Sequence, residues 1–195
     1  VEAAKFYGDI HNTYNIAPKG VNRYEIWQLF QSGKLAFMVA GSYYYAQLEG
    51  SDVDWGIAPM PYFEGGKAIT ATGSMHLAVA STTNHPEEAA NVVKLMTLGY
   101  GNDIYMPIKQ SLPARKTLAE GIMTDPKYEE FPANSYRLFS YEIQNTSVPR
   151  PSTVAYTEYE STFNTTFEDI RNGLNAEECL DNMVSQLDSM IQKYR

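Results

Sequence analysis

An α/β fold is what this sequence predicts, on three observations: two continuous apolar runs at residues 35–40 and 75–80, helical patterns alternating with them in the first half, and a tail from Tyr156 that keeps helical spacing almost throughout. The first helical pattern, residues 3–14, sets Phe6, Ile10 and Tyr14 on one face, with no capping segment before it. Such a start reads as a piece of a longer chain. Pro18 and Gly20 break the pattern, and a second short helix puts Ile26, Leu29 and Phe30 on one side before Gly33 closes it.

Leu35, Ala36, Phe37, Met38, Val39 and Ala40 lie between Gly33 and Gly41, the pattern of a strand buried on both faces of a parallel sheet or of a buried helical segment of that length. Ser42 offers an N-cap, so a helix should open at Tyr43, Tyr44 and Tyr45 directly from the carboxyl end of that strand. In open α/β sheets ligands gather at that end, where helix N-termini supply free N–H donors. Val53 to Ile57 reads as a short strand running into the crossing Pro59-Met60-Pro61, and Glu64-Gly65-Gly66-Lys67 as a turn. Residues 75–80 are a second buried strand, followed by Asn84 as a cap with Glu87 three residues on. The helix after it carries Ala89, Val92, Val93 and Met96 on one face and stops at Gly99.

Pro107, Pro113, Pro126 and Pro132 divide residues 102–139 into short helices. From Tyr156, the residues Tyr159, Phe163, Phe167 and Ile170 keep helical spacing until Gly173, and Asn175 with Glu178 repeats the cap pattern. The last helix puts Leu180, Met183, Val184, Leu187, Met190, Ile191 and Tyr194 on one face.

Composition narrows the function. With 44% hydrophobic residues over 195 positions the chain can bury a core, and 15 basic against 23 acidic residues give a net charge of −8, which repels phosphate backbones and excludes a nucleic-acid footprint. The single Cys179 can form neither an internal disulfide nor a thiolate zinc site, and reads as a small buried apolar residue on a helix. No run approaches the ~20 apolar residues of a membrane span, and no signal-peptide pattern opens the chain.

Catalytic and metal constellations are not legible. His11, His76 and His85 stand apart, without the paired spacing of zinc hydrolases; His76 reads as a hydrogen-bonded core histidine in its strand and His85 as solvated. Gly73-Ser74-Met75 lacks the second glycine of a nucleophile elbow, and its serine precedes a strand instead of following one. Glu158 and Glu160, two apart on a helix, face different directions and make no glycosidase pair. No cofactor is implied. What stands out is tyrosine, 15 residues, clustered at 43–45 and 156–159. Its flat apolar face and hydroxyl suit stacking on a sugar ring, and equally suit half-buried packing.

The stretch Trp27-x-x-Phe30-x-Ser32-Gly33-Lys34-Leu35-Ala36-Phe37-Met38-Val39-x-Gly41-Ser42-Tyr43 resembles the most recognisable motif of the family 1 bacterial extracellular solute-binding proteins, maltose-binding-protein-like in type. Ser42-Tyr43 stands where that family has Pro-Trp or a similar aromatic pair. The resemblance continues through Trp55-Gly56-Ile57-Ala58-Pro59-Met60-Pro61, Gly73, Pro86-Glu87-Glu88-Ala89-Ala90, Leu112-Pro113-Ala114-Arg115, Arg150-Pro151 and Gly173-Leu174-x-Ala176-Glu177-Glu178-x-Leu180, in the family's order.

That resemblance implies a partial periplasmic-binding-protein-like type II fold, the C-terminal lobe plus part of the N-terminal one: residues 1–62 and 127–195 with the C-terminal lobe, residues 63–126 with the other. It implies an extracellular component of an ABC import system, not an enzyme, which closes on a carbohydrate, an oligosaccharide by preference, and delivers it to a membrane permease. The expected ligand contacts are Tyr43, Tyr44, Gly73, Ser74 and Tyr156, with no metal, and Arg115 is either near the hinge or a solvated anchor. The expected location is the outer face of the cytoplasmic membrane or the periplasm, with a lipid anchor or signal segment upstream of this piece. A sensor or adhesion module on the same fold is the rival reading, and a carbohydrate-active enzyme the weakest. Unpaired strand edges would invite dimers or swapped assemblies.

Overall fold

The computed structural model describes residues 1–73, 75–101, 103–104 and 112–194, the side chain of residue 23 excepted. Its elements are α1 (Glu2–Asn12), α2 (Arg23–Gln31), a 3₁₀ turn (Ser42–Tyr44) leading into α3 (Tyr45–Leu48), β1 (Thr70–Thr72), α4 (Pro86–Leu98), α5 (Lys116–Thr124), α6 (Ser135–Asn145), β2 (Ser147–Pro149), α7 (Tyr156–Arg171) and α8 (Ala176–Ile191). They divide into two compact units, one of Val1–Ile26 with Pro151–Arg195 and one of Trp27–Arg150.

In the first unit α1, α7 and α8 pack on one another. Ala4, Ile170, Ala176 and Cys179 form the core, with Tyr7, Phe167 and Leu180 against it. Gly8 lets α1 approach α7 closely, for a methyl there would stand 3.1 Å from Ile170 Cγ2. Asn12 pins the same crossing by donating to the Ile170 carbonyl at 3.1 Å. The cap expected at Asn175 is present: its side chain accepts from the backbone N–H of Glu177 and Glu178 at 3.0 and 3.1 Å, satisfying two donors that α8 would otherwise leave free. Gly173, at φ 107°, takes the turn between the helices that a side chain would resist. Aromatic residues at helical spacing become a ladder along α7, with ring centroids 6.0 Å apart for Tyr156–Tyr159, 5.8 Å for Tyr159–Phe163 and 4.3 Å for Phe163–Phe167, ending on Tyr7 of α1. Cys179 is buried, as expected of a small apolar residue.

The second unit is built on an aromatic core of Tyr45 and Tyr136 with Ile122, flanked by Trp55, Leu112, Tyr128 and Phe139. Among the described residues its sheet is one parallel pair, β1 with β2, in the register Thr70–Ser147, Ala71–Val148 and Thr72–Pro149. Thr70 secures it, its N–H donating to the Thr146 carbonyl at 2.9 Å and its hydroxyl lying 2.9 Å from that of Thr146. The Pro59-Met60-Pro61 crossing is tied to α6 where the Met60 N–H donates to Glu142 at 3.0 Å.

Three expectations are corrected here. Residues 35–40, 53–57 and 75–80 carry no strand: each is extended or irregular chain without a ladder partner among the described residues. Phe37 is 92% and Met75 101% exposed, and His76 is exposed instead of sitting in a core. The physical reason is that an apolar run states a need for cover on both faces but supplies none; a strand exists only through its neighbour's N–H and C=O groups. The strands that do form, Thr70–Thr72 and Ser147–Pro149, are short and polar, and they exist because each has the other. The result is a mixed, largely helical molecule with few strands among its described residues. Helix α4 starts at Pro86 with His85 as its cap position, one residue later than Asn84 suggests, because proline's fixed φ favours the first helical position.

Candidate functional site

Three consecutive tyrosines meet three fates, set by the tight turn at Ser42–Tyr44. The turn closes when the Tyr44 N–H donates to the Gly41 carbonyl at 3.0 Å. Tyr44 is 2% exposed, lies 4.7 Å from the Trp27 ring and donates its hydroxyl to the Trp27 carbonyl at 3.0 Å. Burial pushes its phenol above the ordinary range, so it stays a donor. Tyr45 points into the aromatic core, 4.8 Å from Tyr136 and 5.9 Å from Trp55, with its hydroxyl 3.4 Å from Glu49. Burial first, then the Glu49 carboxylate, raises its phenol, and burial raises that of Tyr136.

Tyr43 alone keeps an open face. It is 49% exposed, tilted against Trp27 at 5.9 Å, and its ring folds over Gly41 into the space that a side chain there would fill. Gly41 is in extended backbone at φ −77°, so its role here is room for that ring. The structure thus gathers Tyr43 and Tyr44 at Trp27, the first ring half exposed and the second buried.

Gly73 follows β1 directly and stands with Arg150, the residue that follows β2. Ser74 lies outside the described residues. Tyr156 belongs to the other unit as the first residue of α7; its hydroxyl reaches Glu160 at 3.5 Å and its ring opens the α7 ladder. On the opposite face of α7 an open groove of about 420 Å³ is lined by Thr157, Glu158, Ser161, Thr162, Met190 and Tyr194. There the Tyr194 hydroxyl donates to Glu158 at 2.6 Å, which holds that carboxyl below its usual range. Glu158 and Glu160 therefore accept from different tyrosines, in agreement with their helical spacing.

Trp27 and Gly41, which hold the Tyr43 ring, are residues the sequence did not single out. Both sit in the quoted motif at fixed distance from Tyr43, a signal that was available, whereas the approach of Arg150 to Gly73 follows from the pairing of β1 with β2. Among the described residues no group of three or more His, Cys, Asp or Glu is placed to hold a metal, and no helix is long and apolar enough to cross a membrane.

A half-exposed ring braced by a half-buried indole is equipment for holding a ligand, the stock-in-trade of a binding protein. Residues 1–98 match the family model of the bacterial extracellular solute-binding proteins, and the chain belongs to that family. It is also 38% identical over 88 residues to a Deinococcus radiodurans protein described as "Probable ABC transporter-binding protein". That match covers 42% of this chain and 21% of the relative, so the chain spans a minor part of that protein's length.

Proposed function

We propose that the protein is the solute-capturing component of an ABC import system, that its solute is a carbohydrate, by preference an oligosaccharide, and that it delivers this solute to a membrane permease without covalent chemistry. The observation that carries the reading is Tyr43: a ring half exposed, its other side occupied by Trp27 and Gly41, in a chain of the solute-binding family. A ring braced in this way loses little freedom when a sugar stacks on it, which reduces the entropy cost of binding. Tyr44 is assigned to the same site as the residue that fixes the position of Trp27. Gly73, Ser74 and Tyr156 are further solute contacts on the strength of the family resemblance.

The same reading makes the whole protein a two-lobed binding protein of the periplasmic type II kind that closes by hinge motion, with residues 63–126 belonging to the lobe opposite the rest. It works at the outer face of the cytoplasmic membrane or in the periplasm. Closure requires that the solute contact both lobes only in the closed state, so that binding shifts the open and closed populations.

Calorimetric titration of the full-length gene product with a panel of oligosaccharides tests the proposal. One class of sugar is expected to bind, and Tyr43→Ala to weaken it by about tenfold, the loss of one stacking partner worth ~1–1.5 kcal/mol. Silence across sugars, with binding of peptides or polyamines instead, would reject the carbohydrate assignment; silence across all three would reject solute capture.

A further inference from the structure

We propose that Glu142 is a positioning residue: together with Thr146, which caps the same helix, it clamps both ends of the segment 60–70 to the last turn of α6 and so fixes the point from which the chain leaves β1 at Gly73. The bearing of this clamp on solute rests on the solute-capture reading above, in which Gly73 and Ser74 meet the solute; Glu142 itself does not.

The need for a clamp comes from the prolines. In Pro59-Met60-Pro61 two of three residues have no N–H, and the residue before each proline is held extended, so no local turn can satisfy the N–H of Met60. The Glu142 carboxylate takes it at 3.0 Å, from a position 82 residues further along the chain. At the other end of the segment the Thr70 N–H donates to the Thr146 carbonyl at 2.9 Å. Thr146 is bound back to Glu142 twice over, its N–H donating to the Glu142 carbonyl at 2.9 Å and its hydroxyl to the same carbonyl at 3.1 Å. With that hydroxyl's proton committed, its oxygen is left to accept, so in the 2.9 Å contact between the two threonines it is Thr70 that donates. Met60 and Thr70 are therefore held by the two ends of one helical turn.

Between the ties the chain stands away from the fold. Residues 61–67 are exposed, and their tip closes on itself, with Gly65 at φ 77° and the Gly66 N–H donating to the Phe63 carbonyl at 2.8 Å. Met60, Thr70, Glu142 and Thr146 are half-buried. A loop tied at both ends to one turn of helix moves with that helix. β1 starts at the second tie and runs only from Thr70 to Thr72, so the position of Gly73 is inherited from α6. The tie at Met60 is the one with an ionised acceptor, which makes it the stronger kind of hydrogen bond.

The test combines amide hydrogen exchange at Met60 and Thr70 with titration of the oligosaccharide panel, on the full-length gene product as wild type, Glu142→Ala and Glu142→Gln. Glu142→Ala should speed exchange at Met60 by ~10-fold or more and at Thr70 by a smaller factor, while α6 keeps its own protection because alanine is a good helix former. The bound sugar should weaken by ~3- to 10-fold, the effect of disturbing a contact through its support. Glu142→Gln keeps an acceptor oxygen at the same reach and should recover most of both losses. Exchange at Met60 in Glu142→Ala within about twofold of the wild type would overturn the clamp. A freed Met60 amide with unchanged sugar affinity, or a loss that Glu142→Gln does not recover, would overturn the positioning role. A wild type that binds no sugar would reject the solute-capture reading and the positioning role with it, while the exchange rates would still decide the clamp.

Discussion

The unit of Val1–Ile26 with Pro151–Arg195 and the unit of Trp27–Arg150 answer the same demand, to cover apolar surface, in different ways. In the first, every helix finds another: Ile170 is 1% exposed beneath Gly8, and Ala4, Ala176 and Cys179 close around it. In the second, an aromatic core around Tyr45 and Tyr136 is well covered while most of the apolar runs at 35–40 and 75–80 is exposed, with Phe37 and Met75 almost wholly open. A helix carries its hydrogen bonds within itself and needs only a face to pack on. A strand needs a second chain segment before it exists.

The sharpest way to break this comparison is to empty the covered core. Ile170→Ala should destabilise the first unit by ~2–5 kcal/mol, measured as a shift in the denaturant midpoint, because it removes a buried side chain whose site cannot fully collapse. A loss below half a kcal/mol would mean that the helices are not packed as described. Next in size is the cap: Asn175→Ala should cost ~1 kcal/mol by the same measurement, with Asn175→Ser nearly neutral.

A pH effect should follow from His11. The imidazole is buried at the end of α1, and burial, joined by the positive charges of Arg171 and Lys19, lowers its pKa from the ordinary 6.5. The unfolded chain therefore takes up a proton at a pH where the folded one does not. The stability contributed by neutral His11 is complete above pH 6.5 and declines as pH falls toward the lowered folded-state value. Thermal midpoints recorded from pH 8 to pH 5 should fall, and His11→Phe should flatten that slope; an unchanged slope would remove His11 as its cause. Smallest of all is the bare run, where Phe37→Ser should change the stability of this chain by no more than ~0.5 kcal/mol.

The helices were readable in advance for the reason the comparison exposes. Asn175 with Glu178, the aromatic spacing from Tyr156 to Ile170, and the stop at Gly99 are local signals, and each marks an element within a residue or two of where it stands. The strands were misread because apolar continuity at 35–40 and 75–80 describes an environment, and no local pattern states whether that environment is present. Thr70–Thr72 and Ser147–Pro149 escaped notice for the converse reason: short, polar and distant in sequence, they are strands only by virtue of each other.

The site divides along the same line. The clustering of Tyr43, Tyr44 and Tyr45 could be seen in the sequence, but their division into exposed ring, buried ring and core depends on one turn of 3₁₀ helix and on Trp27 arriving from α2.

The stacking role proposed for Tyr43 is open to direct observation through Trp27, one of only two tryptophans in the chain. Replacing Trp55 by Phe, together with any tryptophan outside these 195 residues, leaves Trp27 as the sole indole, with the Tyr43 ring 5.9 Å away. Titrating this full-length single-tryptophan protein with the sugar it binds should produce a saturable change in Trp27 fluorescence whose midpoint matches the calorimetric affinity, and Tyr43→Ala should shift that midpoint by about tenfold. A sugar that binds by calorimetry while leaving the Trp27 signal unchanged would contradict the account.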